Sequence, residues 1–582
     1  MSTTTPQLIR VERVDDLPVL WASLQRLGVA ELLDRHFPTH HLWLGELSLG
    51  EVVAVWLAFL LSQGDHRLCR LQPWAQQNLH TLQALLGKAV RPLDFHDDRL
   101  ADLLAALARP QPWLAFEDDL NRQTVRVYDL NASRFRLDST TANSYAAVVS
   151  DEGLLQFGHS KDRDDLPQLK VAVAALDPLG MPVSTLVVPG NGADDPLYVP
   201  QIRQVQQTFG RGGKTYIGDC KMAALDTRAY LASTQDYYLC PLSEKQLSRE
   251  QRRLLIARVQ QGEQALQRVY RPKEHPEDEE ELVADGFAVE ETMQAVVSGQ
   301  ALTWTERRWV VRSVAFAAGQ HEHLERRLRQ AQEALEQLTE RKQGKRVLSA
   351  DELPRAVESI LHQHRVEGLL TAVVQTTRQE RTLRRYRERP EQVVVEEEYR
   401  MEISRQDEAI AGVKAELGWQ VYGTNELGLS LAAVVWGYRG QYQIEKGWSR
   451  LKGQPLSLTP MYLVDEDRMR GLVLLLSIAL RLLTLLEWVV RQKLQQGGES
   501  LRGLYPGQAG RKTSRPSAEL LLGAFQGISL TVVEVAGQQT ALLTPLSPLQ
   551  EKLLCLWDLP SGLYERLAFP CFPEPPPVLS ER

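Results

Sequence analysis

The chain has 582 residues, of which 43% are hydrophobic and 24% charged, and its formal net charge is −7. That balance is typical of a globular protein and excludes a disordered, collagen-like or low-complexity chain. It also excludes a protein that holds nucleic acid through overall positive charge, so any such binding must come from local basic faces.

At this length about three or four domains are expected, or one large domain with insertions. The five cysteines, Cys69, Cys220, Cys240, Cys555 and Cys571, are odd in number and scattered, and no CxxC occurs. This points to reduced thiols in the cytosol and to no zinc site. The N-terminal "MSTTTPQLIRVERVDDL" has no apolar signal core. "GLVLLLSIALRLLTLLEWVV" (471–490) is as long as a membrane span, but Arg481 sits in its middle. A charge at mid-bilayer is costly, so the segment reads as a buried core helix and no membrane partner is expected.

In chain order, residues 16–125 carry i, i+3, i+4 apolar spacing in "LPVLWASLQRLGVAELLDRHF", "LSLGEVVAVWLAFLLSQ" and "DRLADLLAALA", which predicts helices. "QTVRVYDL" and "RFRLDSTTANSYA" then alternate and predict strands. "LKVAVAALDPLGMPVSTLVVPGN" reads as a hairpin turning at "DPLG". "PLYVPQIRQVQQTFG" predicts a helix, "KTYIGDCKM" a buried strand, "DTRAYLASTQ" a helix and "DYYLCPL" a strand. Three strands, then helix, strand, helix, strand make a mixed α/β layer. From 243 to 415 long charged helices and a few strands form an inserted region. "GWQVYGTNE" returns to β character, "YRGQYQIEKGWSRLKG" (438–453) predicts one helix, and the tail "AFPCFPEPPPVLSER" is proline-rich. The division expected is 1–124, 125–242, 243–415, 416–495 and 496–582.

Two acids end predicted strands: Asp138 in "RFRLDSTT" and Asp219 in "TYIGDCKM". A carboxylate there is expensive to bury unless it is paired or binds metal, although each alone also reads as a loop cap. Tyr438, Glu445 and Lys452 are spaced by seven and seven. On one helix they would share a face, drifting by roughly 20° per step. Such a row is either a solvated ion-pair ladder or the edge of an active site. Three carboxylates from separate segments suit two Mg²⁺ ions about 3.5–4 Å apart, the arrangement used in phosphodiester cleavage.

Smaller signals compete with this. "GRGGKT" (210–215) lacks the first glycine of a phosphate-binding loop and precedes a strand, so it reads as a turn. The pairs His321/His323 and His362/His364 fall on opposite helix faces and suit no metal. His159, Lys161 and Asp162 form a charged loop, with Lys161 near substrate phosphate as its functional reading. Asn191 and Asp194 read as turn-forming, or as neighbours of the site. Ile444, Trp448 and Leu451 make an apolar strip suited to packing on the sheet rather than stacking on DNA bases.

With these motifs in order, the sequence resembles the DDE-class transposases of bacterial insertion sequences, in the branch marked by Tyr-x2-Arg-x3-Glu-x6-Lys. That frame falls on Tyr438, Gln441, Glu445 and Lys452, and the first two acid motifs fall on Asp138 and Asp219. "GHSKDRDDLPQLK", "VVPGNGADD" and "LKGQPLSLTPMYLVDEDRMRGLVLLL" add to the resemblance, which covers roughly residues 125–490. It implies an α/β fold with an RNase H-like mixed five-stranded sheet, interrupted by a large α+β insertion before the last catalytic helix. It implies Asp138, Asp219 and Glu445 as catalytic and metal-holding residues for two Mg²⁺, with Mn²⁺ able to substitute. Tyr438, Gln441, Lys452 and Lys161 are then implied at the DNA. The partners implied are double-stranded DNA, at element ends and target, and a second copy of the chain on that DNA. The reaction implied is end cleavage and 3′-OH strand transfer, on the bacterial nucleoid. The readings kept beside it are an RNase H-like nuclease without strand transfer and a catalytically silent DNA-binding descendant. Gln441 departs from the frame: where the signature has Arg, the side chain keeps hydrogen-bonding capacity but loses the charge and the bidentate fork.

Overall fold

The computed structural model describes residues 7–39, 43–160, 162–273, 277, 279–340, 348–383, 392–535 and 538–568. Lys161 and the proline-rich tail therefore lie outside the described residues. In chain order, strand β1 (Gln7–Arg13) precedes helices α1 (Leu17–Leu27), α2 (Val29–His36), α3 (Leu49–Gln63), α4 (Leu68–Gln77), α5 (Leu79–Leu86), α6 (Asp97–Leu107) and α7 (Pro110–Tyr128). Next come β2 (Arg134–Asn143), β3 (Gln168–Leu176), β4 (Met181–Pro189), α8 (Tyr198–Phe209), β5 (Thr215–Ile217), α9 (Leu225–Ser233) and β6 (Tyr237–Pro241). The middle of the chain holds α10 (Arg249–Gln260), β7 (Gln267–Tyr270), β8 (Leu282–Val297), β9 (Gln300–Ser313), α11 (Val314–Thr339), α12 (Leu353–His364), β10 (Leu370–Leu383), β11 (Gln392–Arg405), α13 (Asp407–Ala415) and β12 (Trp419–Thr424). Then follow α14 (Leu431–Arg439), α15 (Tyr442–Lys452), α16 (Glu466–Gly497), β13 (Leu501–Arg502), β14 (Lys512–Thr513), α17 (Ala518–Gly523), β15 (Ser529–Val535), β16 (Gln538–Leu543) and α18 (Pro548–Leu556).

Contacts divide the chain into two units: Met1–Cys240 with Gln294–Trp304 and Gly437–Arg582, and Pro241–Met293 with Thr305–Trp436. In the first unit the strand order is β4-β3-β2-β5-β6. β2 pairs antiparallel with β3, and β3 with β4. β5 lies parallel to both β2 and β6. This is a mixed sheet, in the order of strands and helices read from the sequence. The hairpin turns at Asp177–Gly180, as "DPLG" predicts, and residues 210–214 form a turn ahead of β5.

Two local expectations are corrected. "QTVRVYDL" does not form a strand: through Tyr128 it is the end of α7. Trp113, Phe116, Glu117, Leu120, Asn121 and Thr124 are buried at helical spacing, and that continuous stripe outweighs the β-branched alternation of Thr124, Val125 and Val127. β1 was not foreseen either. It pairs with β15, more than 500 residues away, a contact that no local pattern encodes.

α16 is the one helix among the described residues that is long and apolar enough to cross a membrane, and 89% of its most apolar window is buried inside the protein. Gly471 lets it touch the backbone of α6, because a Cβ there would stand 2.0 Å from Leu104 O. Arg481 is satisfied internally: Nη2 donates to Asn121 Oδ1 at 2.7 Å and Nη1 to Thr124 Oγ1 at 3.3 Å. Nearby, Glu117 accepts from Gln204 Nε2 at 2.5 Å. Burial pushes the Glu117 carboxyl up to about 8, against the pull of Arg481. A raised carboxyl stabilises the fold below its unfolded value, and that contribution is lost as pH rises through the folded one. Glu117→Gln, neutral at every pH, is therefore expected to raise the melting temperature relative to wild type more at pH 9 than at pH 6. Paired thermal melts check this, and a pH-independent difference would contradict it.

In the second unit, Leu324, Leu328 and Ala331 of α11 pack with Val366, Leu369, Leu370 and Ile410. Leu247, Ile256, Phe287, Val310, Trp419 and Val421 form another core. β10 and β11 make a two-stranded antiparallel ribbon, and β12 pairs antiparallel with β9.

Candidate active site

Two of the acids lie on or just beyond neighbouring parallel strands. Arg136 of β2 is level with Ile217 of β5. Asp138 lies in the middle of β2 and Asp219 two residues past the end of β5, the two strands being neighbours roughly 4.8 Å apart. Both acids are half-buried. Asp138 Oδ1 accepts from the Ser139 backbone N–H at 2.8 Å, and its Oδ2 accepts from the indole N–H of Trp448 at 2.8 Å. Asp219 Oδ1 accepts from the Tyr198 hydroxyl at 2.6 Å and from the Lys221 backbone N–H at 2.8 Å.

Tyr198 opens α8 and is 3% exposed. Burial raises its phenol far above the ordinary range, and the charges of Asp219, Asp138 and Asp194 add to the shift. Its hydroxyl is thus a neutral donor within electrostatic reach of three carboxylates. Asp194 Oδ1 accepts from Ser139 Oγ at 2.9 Å and from Lys170 Nζ at 2.7 Å. Of its two sequence readings, the structure favours the one that neighbours the site.

Glu445 lies on α15. The helix packs on β2 and α16 through Ile444, Trp448 and Leu451, all buried. Trp448, the residue bonded to Asp138, lies one turn after Glu445 on the same side of the helix. Glu445 is exposed. The other flank of α15 is held by charge: Glu487 of α16 takes Lys446 and Arg450 at 2.5 Å each and Arg491 at 2.7 Å. Arg450 also bonds Glu519 at 2.7 Å. Burial alone would raise the Glu487 carboxyl, but Arg450, Lys446 and Arg491 outweigh it and hold the group below the ordinary carboxylate range.

The predicted single helix over 438–453 is two helices. α14 ends at Arg439 and α15 starts at Tyr442, so Tyr438 does not share a helix with Glu445 and Lys452. The Gln441 N–H turns back to Tyr438 O at 3.0 Å, which leaves the Gly437 carbonyl without the partner a continuous helix would supply. Arg136 Nη2 donates to that carbonyl at 2.7 Å, while its Nε holds Asp177 Oδ1 at 2.5 Å. Gly440 makes room for this, because a Cβ there would stand 2.2 Å from Arg136 Nη2. A buried arginine therefore sets the joint, which the heptad spacing could not reveal.

Of the other sequence candidates, Tyr438 is half-buried at the end of α14. Gln441 turns its Oε1 into a solvent-free place with no hydrogen-bond partner among the described residues. Lys452 Nζ pairs with Asp162 Oδ2 at 2.6 Å, joining the charged 158–165 loop to the end of α15. Tyr198, Lys170 and the donor role of Trp448 were not read from the sequence. A lone lysine in the apolar run "QLKVAVAAL" was the available signal for Lys170. Only the fold shows what the two aromatic donors face.

Among the described residues, one group of three possible ligands has donor atoms within 4.8 Å of one another, namely His96, Asp97 and Asp98 at the start of α6. The three strand and helix acids are not drawn that close. All their donors are carboxylate oxygens from separate elements, however, which fits Mg²⁺ and its preference for one or two carboxylates per ion.

A mixed α/β protein with carboxylates on and just beyond two neighbouring parallel strands is the class that fold and site define. The family model described as "Transposase DDE domain" matches residues 138–482. That is more than half of the chain, and the protein belongs to this transposase family. No curated protein matches the chain. Among solved structures, a cryo-EM structure of a piggyBac transposase synaptic complex with hairpin DNA is 7% identical, covers 86% of this chain and 80% of that one, and has a TM-score of 0.33; a likeness that distant carries no argument about the site.

Proposed function

We propose that this protein is a DNA transposase that cleaves the ends of an insertion sequence and transfers the 3′-OH strand into target DNA, with Asp138, Asp219 and Glu445 as its catalytic carboxylates. The observation that carries this is that Tyr198 bonds Asp219 within electrostatic reach of Asp138, while the Glu445 helix is bonded to Asp138 through Trp448. Residues 125–242 and 416–495 form an RNase H-like core in this reading, and 243–415 is its insertion. Residues 1–124 would bind element ends, and 496–582 follow the core. In this reading the chain is of the Tyr-Arg-Glu-Lys branch, its frame falling on Tyr438, Gln441, Glu445 and Lys452 with Gln441 where the signature has Arg.

The three carboxylates would hold two Mg²⁺ ions, or Mn²⁺. When bound there, the metal supplies Lewis-acid stabilisation of the attacking and leaving oxygens. The chain's own residues align the strand. Lys452 orients a phosphate once that phosphate displaces Asp162, and Tyr438, Gln441 and Lys161 are the further DNA contacts of this reading. Water cleaves the P–O3′ bond at the element end, leaving a 3′-OH and a 5′-phosphate. That 3′-OH then attacks a target phosphodiester, making one P–O bond and releasing one target 3′-OH, so no energy source is needed. Two ends must be held together, which calls for a homodimer on DNA, acting in the cytoplasm at the nucleoid. Binding should weaken steeply with salt as phosphate contacts release counterions.

The test is incubation of the purified protein with Mg²⁺ and DNA carrying the repeats that flank its own gene. Nicked ends and joined target products are expected. Cleavage without joining would leave the nuclease reading, and DNA binding without Mg²⁺-dependent cleavage would leave the silent one.

A further inference from the structure

We propose that Tyr198 and Trp448 are positioning residues, two neutral aromatic donors that hold Asp219 and Asp138 in ligating orientation. This rests on the reading of those acids as metal ligands. Gathering carboxylates at one place costs repulsion, and a lysine or arginine bonded to them would relieve it by cancelling the charge that attracts a divalent ion. Lys170, a buried ammonium nearby, bonds Asp194 and the Gly192 carbonyl. Asp138 and Asp219 receive an indole N–H, a phenol O–H and backbone N–H groups. Each such bond occupies one lone pair of a carboxylate oxygen and leaves others for a metal.

The two donors also come from different elements. Tyr198 begins α8, so its bond ties that helix to the end of β5. Trp448 lies one turn from Glu445, so its bond to β2 sets the rotation and height of the third acid relative to the first. Both side chains are almost wholly buried, at 3% and 9% exposed, and their rings have little freedom to swing away. In metal sites, partners of this kind typically govern affinity by 10–100-fold.

The experiment uses the full chain carrying Tyr198→Phe, Trp448→Phe, or Asp219→Asn as reference. Mn²⁺ binding is read by electron paramagnetic resonance without DNA, and the Mg²⁺ concentration giving half-maximal end cleavage is measured beside it. Each aromatic variant is expected to weaken Mn²⁺ binding by about 10–100-fold and to regain cleavage when metal is raised. A merely structural role would lower the melting temperature without rescue by metal, and would overturn the proposal. Tyr198→Phe removes a single oxygen and keeps the ring, so it decides the matter if Trp448→Phe does not fold. Wild-type Mn²⁺ affinity in Tyr198→Phe, with binding lost in Asp219→Asn, would overturn this inference alone. Wild-type affinity in Asp219→Asn as well would remove the ligand assignment beneath it.

Discussion

Asp138→Asn and Asp219→Asn are each expected to slow single-turnover strand cleavage by about 10³-fold or more, the equivalent of roughly 4 kcal/mol of transition-state stabilisation. Asparagine keeps the size of the side chain and one acceptor oxygen, so the bonds from Trp448 and Tyr198 can persist. What is removed is the charge. The melting temperature should hold or rise, because Asp138, Asp219 and Asp194 all lie within electrostatic reach of one phenol and losing one charge relieves the others. Functional sites commonly trade stability in this way. Glu445→Gln should lose activity similarly without change in stability, since Glu445 is exposed. DNA binding should survive in all three. Retention of more than about a tenth of wild-type cleavage by every variant would remove these residues from the chemistry.

Arg136→Met is expected to destabilise the first unit by roughly 3–5 kcal/mol, the usual cost of breaking a buried ion pair from one side. Arg136 is 2% exposed and Asp177 7%. Without the guanidinium, Asp177 keeps only Arg134, 3.7 Å away and partly exposed, and the Gly437 carbonyl loses its donor. The damage should be directional. Arg136 holds the joint between α14 and α15, so the Glu445 helix loosens along with the β3–β4 turn. Gly440→Ala attacks the same joint from the other side by driving a methyl into the guanidinium. Because Arg136 is held at two points, it cannot swing clear. Replacing the pair together, as Arg136→Met with Asp177→Leu, should recover much of the ion-pair cost, since no buried charge is then left unpaired. Urea unfolding midpoints measure all three variants. A shift of less than about 1 kcal/mol for Arg136→Met would show that the joint is held by packing alone.

By itself the sequence determined a good deal: which stretches are strands or helices where the periodicity is long, the hairpin at "DPLG", and the burial of 471–490 despite its length; it set Asp138 at a strand end, where the structure runs β2 on through Asn143. These are local properties, written in spacing, turn chemistry and the cost of stranded charge. The tertiary structure decided what depends on partners distant in the chain. The end of α7 is helical because its buried stripe lies against other helices, although "TVRVY" locally favours β. The heptad from Tyr438 to Lys452 is broken because an arginine some 300 residues earlier takes the carbonyl that a continuous helix would have used. Lys452, which alone reads as a free cation on a helix face, is paired to Asp162. Trp448 reads as an apolar packing residue, and it is one, yet its single polar atom is bonded to a strand acid 310 residues earlier. Spacing along the chain determines which side chains share a face; only the packing of one element on another determines what that face meets.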